Sequence, residues 1–62
     1  TIPEQLIYLR KKFRLSQDKM GKIIGVSGGA ICNYEKGRRD ISASDFQTIV
    51  FYLASGQGAK KP

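Results

Sequence analysis

The side chains able to act on a partner are gathered between residues 10 and 39. Ser16, Gln17, Ser27 and Asn33 bring neutral hydrogen-bonding groups, Cys32 a thiol, and Arg10, Lys36, Arg38 and Arg39 fixed cations. This is the chemistry of recognition, not of bond making. The chain has no His, so Cys32 has no imidazole to take its proton, and it reads as a small, partly buried residue instead of a nucleophile. No group of acids, Cys or His has metal-ligand spacing, so neither a metal nor a cofactor is expected, and an enzyme is not expected either. Nine of the eleven Lys and Arg fall in the stretch from Arg10 to Arg39, where only Asp18 and Glu35 oppose them. A net charge of +6 concentrated in this way is the electrostatic footprint of a polyanion partner.

Two short helices must position these groups. Gln17 to Ile24 carries Met20, Ile23 and Ile24 at spacings of three and four, the pattern of a helix with one buried face. Gly25 ends it, and Val26 sits in the turn. Ser27 can accept a free backbone N–H and so open the next helix, which runs to about Lys36 and stops at Gly37. Helices joined by so short a turn cross steeply, so one can pack inward while the other shows a face to a partner. On the second helix Ala30, Ile31 and Tyr34 form the apolar face. Gly28, Gly29, Cys32, Asn33 and Lys36 form a small, polar and cationic face opposite. A merely solvated helix face is the competing reading. The charge around this one favours a contact surface.

The remaining elements supply the core. Thr1 to Phe13 reads as a helix with Ile2, Leu6, Leu9 and Phe13 inward, and with Arg10, Lys11, Lys12 and Arg14 at its C-terminal end. Those cations offset the helix dipole, and one or two can also reach phosphate. Leu15 belongs in the core, and Ser16 can cap the following helix. A glycine inside a helix costs about 1 kcal/mol relative to alanine, so Gly21 implies that two helices approach closely there. Lys36-Gly37-Arg38-Arg39-Asp40 is a basic loop. Ile41 returns to the core, and Ser42 with Asp45 suggests a capping box. Ala43 to Ala54 is the last helix, with Phe46, Ile49, Val50 and Leu53 as its core stripe. Phe51 and Tyr52 lie beside that stripe, either widening the buried face or forming a dimer contact. Residues 1–54 thus make one domain. Residues 55–62, SGQGAKKP, read as a flexible tail or the start of a linker.

The run LIYLRKKFRLSQDKMGKIIGVSGGAICNYEKGRRDIS resembles the lambda-repressor-like, or Xre/Cro, helix-turn-helix domains of phage repressors and bacterial regulators. The elements that carry the resemblance are Arg10, Ser16-Gln17, Gly25-Val26-Ser27, Ile31 and Tyr34-Glu35-Lys36-Gly37-Arg38, and it covers residues 4 to 54. It implies an all-α bundle of four, or five, short helices, with the helix-turn-helix at the second and third. It implies binding to double-stranded DNA as a homodimer, with the third helix in the major groove. Ser27, Gly28, Gly29, Cys32 and Asn33 would face the groove. Arg10, Ser16, Gln17, Lys36, Arg38 and Arg39 would face phosphates. Arg10 and Glu35 match a pair that ties helices together. Gly28 and Gly29 depart from relatives that carry base-reading side chains there, so direct readout falls to Asn33, which can bond adenine bidentately, and to Ser27.

Other classes fit less well. The chain has no run of about 18 apolar residues, so no transmembrane helix is expected. A surface membrane binder would need a wide apolar face on the first helix, which the core requires. RNA binding lacks an aromatic platform. No small-molecule ligand is indicated. A single Cys makes no internal disulfide, which suits a reducing, cytoplasmic setting, that of a bacterial or phage-infected cell by the resemblance. An antitoxin, or another interaction module docking a partner through the last helix and the tail, is the alternative function.

Overall fold

A computed structural model describes residues 1–55. They form four helices: α1 (Ile2–Lys12), α2 (Gln17–Ile24), α3 (Gly28–Glu35) and α4 (Ala43–Ala54). From residue 56 onward the tail, and with it the question of a fifth helix, lies outside the described residues.

Every helix opens on a hydroxyl. The side chains of Thr1, Ser16, Ser27 and Ser42 accept from the backbone N–H of Glu4, Lys19, Ala30 and Asp45 at 3.3, 3.1, 3.1 and 3.0 Å. Each such cap stabilises its helix by about 1 kcal/mol. The reciprocal capping box is found at Thr1, whose amino group donates to Glu4 Oε1 at 3.3 Å. At Ser42, where the sequence suggested the box, only the hydroxyl half forms. Asp45 is one methylene shorter than the glutamate that normally reaches back.

Three helices also stop in the same way. The N–H of a residue two or three past the end reaches back five residues: Leu15 to Arg10 O at 2.9 Å, Val26 to Gly21 O at 2.9 Å, and Arg38 to Asn33 O at 2.9 Å. This closure requires a left-handed residue in between. Gly25 and Gly37 take that conformation at φ 75° and 76°, and Arg14 takes it at φ 57°. The stops fall close to the expected boundaries, with Phe13 and Lys36 as caps instead of last helical residues.

α3 is the hub on which α1 and α2 pack, and α4 packs against α2. Leu6, Met20, Ile31, Tyr34, Ile49 and Leu53 form the buried core, closed by Leu9, Phe13, Leu15, Ile23, Ile24, Val26, Ala30, Ile41 and Phe46. Two expected core residues are exposed instead, Ile2 and Val50. Ile2 stands at the first turn of α1, on the rim of a shallow cleft with Pro3, Tyr34, Arg39, Asp40 and Ile41. Val50 lies about 100° around α4 from Ile49, and with α2 as the principal neighbour the buried stripe is too narrow to include it.

The steep α2–α3 crossing depends on two missing side chains. A Cβ on Gly21 would collide with Val26 O and stand 3.0 Å from Ser27 O, both backbone atoms of the turn. A Cβ on Gly28 would collide with Asp18 Oδ1 and stand 3.0 Å from the Asp18 backbone N. Each helix therefore lays a glycine against the other's first turn or the turn leading into it.

Candidate nucleic-acid interface

Glu35, the last residue of α3, fixes the geometry of the surface. Arg10 Nε donates to its Oε2 at 2.6 Å, and Arg10 Nη2 to its Oε1 at 3.2 Å. Gln17 Nε2 donates to the same Oε1 at 3.2 Å. Arg10 Nη1 donates to Leu15 O at 3.3 Å, in the α1–α2 connection. One carboxylate thus joins α1, α2 and α3. The Glu35 side chain is only 6% exposed and that of Arg10 19%, so the pair sits in a shielded environment where a two-pronged guanidinium–carboxylate contact is strong. This brace holds the first turn of α2 beside α3.

The pairing that the resemblance implied between Arg10 and Glu35 is therefore present as geometry. It occupies Arg10 and the Gln17 side chain, the two groups expected nearest phosphate. Three Arg10 nitrogens and the Gln17 amide nitrogen already have partners within the fold. Ser16 is exposed, with its oxygen taken by Lys19 N.

On α3 the five expected groove residues do not share one face. Gly28 is buried against Asp18, which removes it from the surface. Glycine's lack of bulk looks polar on a helical wheel, yet here it serves close packing. The signal was available in Gly21, which implied a tight crossing that needs small residues on both sides. Ser27 and Gly29 are exposed, while Cys32 and Asn33 are half-buried. With Lys36, the residues 29, 32, 33 and 36 make one stripe at helical spacing along the outer side of α3. Around Gly29 the surface is open, the nearest atom to an added Cβ being Ser27 Oγ at 3.7 Å. Cys32 is a free thiol.

The basic loop lies past the end of α3. Lys36, Arg38 and Arg39 are all exposed. Arg38 and Arg39 both donate backbone N–H to Asn33 O, at 2.9 and 3.4 Å, which folds the loop back onto the helix end. The Arg39 guanidinium rests 5.8 Å from the centre of the Tyr34 ring, a cation–π contact that holds one of the three cations against the core. Glu35 is neutralised by Arg10, which leaves Asp18 as the one acid of the basic stretch without an ion-pair partner among the described residues.

Sequence comparison agrees with this geometry. The helix-turn-helix family model matches residues 6–50, from the core of α1 through most of α4. Neither the curated proteins nor the solved structures contain a significant match to the chain. Among the described residues no helix is long and apolar enough to cross a membrane. With four helices, a braced α2–α3 crossing and a family match over most of its length, the chain belongs to the Xre/lambda-repressor-like helix-turn-helix family, a family of DNA-binding regulatory domains and not of enzymes.

Proposed function

We propose that this domain binds double-stranded DNA in a sequence-specific manner as part of a transcriptional repressor, with α3 in the major groove. The observation that carries the reading is the outer stripe of α3, Gly29, Cys32, Asn33 and Lys36. It is small enough for close approach and flanked by exposed cations on the loop that follows. Asn33 reads an adenine edge through its amide. Ser27 accepts the α3 capping bond with its oxygen and keeps its hydroxyl proton for a base or phosphate. Lys36 and Arg38 bind phosphates on one side, and Ser16 with the backbone N–H groups opening α2 on the other. Arg39 joins them by leaving the Tyr34 ring. Arg10, Gln17 and Glu35 act by holding α2 and α3 at the angle that lets both touch one duplex.

A dimer completes the reading. α4 carries no Lys or Arg, and Phe51 is 74% exposed and Tyr52 37%. Together with Val50 they give an uncharged apolar face on which a second, equally cationic copy can dock without charge repulsion. Two recognition helices then address half-sites about one DNA turn apart. The same exposed Phe51 supports the second reading, a partner protein docking on α4 as in an antitoxin.

Selection from a random duplex library at about physiological salt tests both parts. The expected result is an enriched near-palindrome. Binding that vanishes as salt rises, with no enriched motif, would leave only non-specific phosphate attraction and overturn sequence recognition.

A further inference from the structure

Arg14 is the one non-glycine residue with positive φ among the described residues. It performs the task that Gly25 and Gly37 perform at the two later helix ends. A left-handed Arg is strained, because its Cβ crowds the backbone where glycine has none. Among the described residues nothing uses its side chain. It is exposed, and it takes part in no hydrogen bond, ion pair or cation–π contact among the described residues. The backbone around it is fully engaged, however. Arg14 N donates to Lys11 O at 3.1 Å, Leu15 N to Arg10 O at 2.9 Å, and Arg10 Nη1 to Leu15 O at 3.3 Å. The fold thus holds a strained backbone rigidly in order to present a cation that it does not itself employ.

We infer that Arg14 is a phosphate-binding residue of the DNA interface, kept at the expense of stability. This rests on the DNA reading above. Arg14 stands two residues before Ser16, the cap of α2, and two residues of chain span at most about 7 Å, within reach of an arginine side chain. Its neighbour Arg10 cannot fill this role without leaving Glu35 and Leu15. A cation on a pinned loop loses little freedom on binding, which is the gain of pre-organisation. Strained residues held firmly by their surroundings are found where function needs them.

The proposal makes stability and affinity move in opposite directions. In Arg14→Gly the unfolding midpoint should rise by about 4 °C or more, since the strain is relieved. Its affinity for the duplex selected from the library, and for an unrelated duplex of equal length, should fall roughly ten-fold on both. The slope of log affinity against log salt should shrink by about 0.9, the loss of one phosphate. Arg14→Lys should keep slope and stability near those of the parent. Arg14→Asn, neutral but tolerant of the left-handed conformation, should lose slope as glycine does. A more stable Arg14→Gly with an unchanged slope would overturn the assignment, and so would an Arg14→Gly that is no more stable. Failure of the parent chain to bind any duplex would instead overturn the DNA reading itself, before a variant is made.

Discussion

Replacing Glu35 with alanine should be among the most damaging single changes on this surface. The substitution removes the carboxylate that three side-chain bonds converge on and leaves the Arg10 guanidinium half-buried without its counter-charge. Breaking one partner of a buried pair costs about 3–5 kcal/mol. Arg10 is still 19% exposed and keeps its bond to Leu15 O, so part of its charge can be rehydrated and the cost falls to about 2–3 kcal/mol. A 62-residue domain has a total stability of about 3–9 kcal/mol, so this is about a fifth of it or more. At about 4–8 °C per kcal/mol for so small a domain, the unfolding midpoint should drop by roughly 10–20 °C. Thermal and urea unfolding followed by circular dichroism measure it directly. The paired change Arg10→Met with Glu35→Leu should recover most of the loss, since well-packed apolar residues can replace a shielded ion pair. A fall of only a degree or two in Glu35→Ala would mean that the pair behaves as a solvated surface contact. The brace as argued from its burial would then be refuted.

Gly29→Ala should stabilise α3 by about 0.5–1 kcal/mol because its surroundings are open, whereas Gly21→Ala should lose about 1–3 kcal/mol to the clash with the turn backbone; equal midpoints for the two variants would contradict the packing described. Gly28→Ala should also destabilise, and Asp18→Ala in the same chain should return part of the loss by removing the Oδ1 that the new methyl meets; chemical denaturation of the single and double variants shows whether the two effects couple. In DNA binding, Asn33→Ala should cost about 1–3 kcal/mol on the selected site and relax preference at one base pair, while Arg38→Ala should weaken all sequences alike and flatten the salt slope by about 0.9; titrations on cognate and scrambled duplexes separate the two patterns. Phe51→Ser should leave the fold intact, since the ring is 74% exposed, yet shift sedimentation of a concentrated sample toward the monomer.

The four helices were legible because each carries its own punctuation. A hydroxyl opens every one, and two of the first three stops are glycines in left-handed conformation. The third stop, at Arg14, could not be read in this way, since nothing in an arginine announces a positive φ; only the Leu15 N–H reaching back to Arg10 O reveals it. Core residues on the central helices were legible from periodicity, but Ile2 and Val50 were not. Periodicity reports which face is apolar, and not how far the neighbouring helix extends to cover it. The Arg10–Glu35 contact came from a resemblance alone, as partners 25 residues apart leave no local pattern. Gln17 as a third member was missed for the same reason.

The loss of Gly28 from the surface sharpens what the proposed readout has to be. With Gly28 buried and Gly29 lacking a side chain, base contacts from one copy reduce to the Asn33 amide and the single free proton of Ser27. A good bidentate base contact discriminates by about 1–3 kcal/mol. Specific sites are typically preferred over random DNA by about 4–10 kcal/mol. One protomer therefore falls short, and two acting together on symmetric half-sites reach only the lower part of that range. The remainder has to come from the shape and deformability of the DNA, which the close approach of a small-residue helix is well suited to sense. A selected site should then show few strongly fixed bases per half and a marked preference in the uncontacted base pairs between the halves. On the proposed dimeric reading, the apolar face of α4 becomes as necessary to recognition as α3 itself.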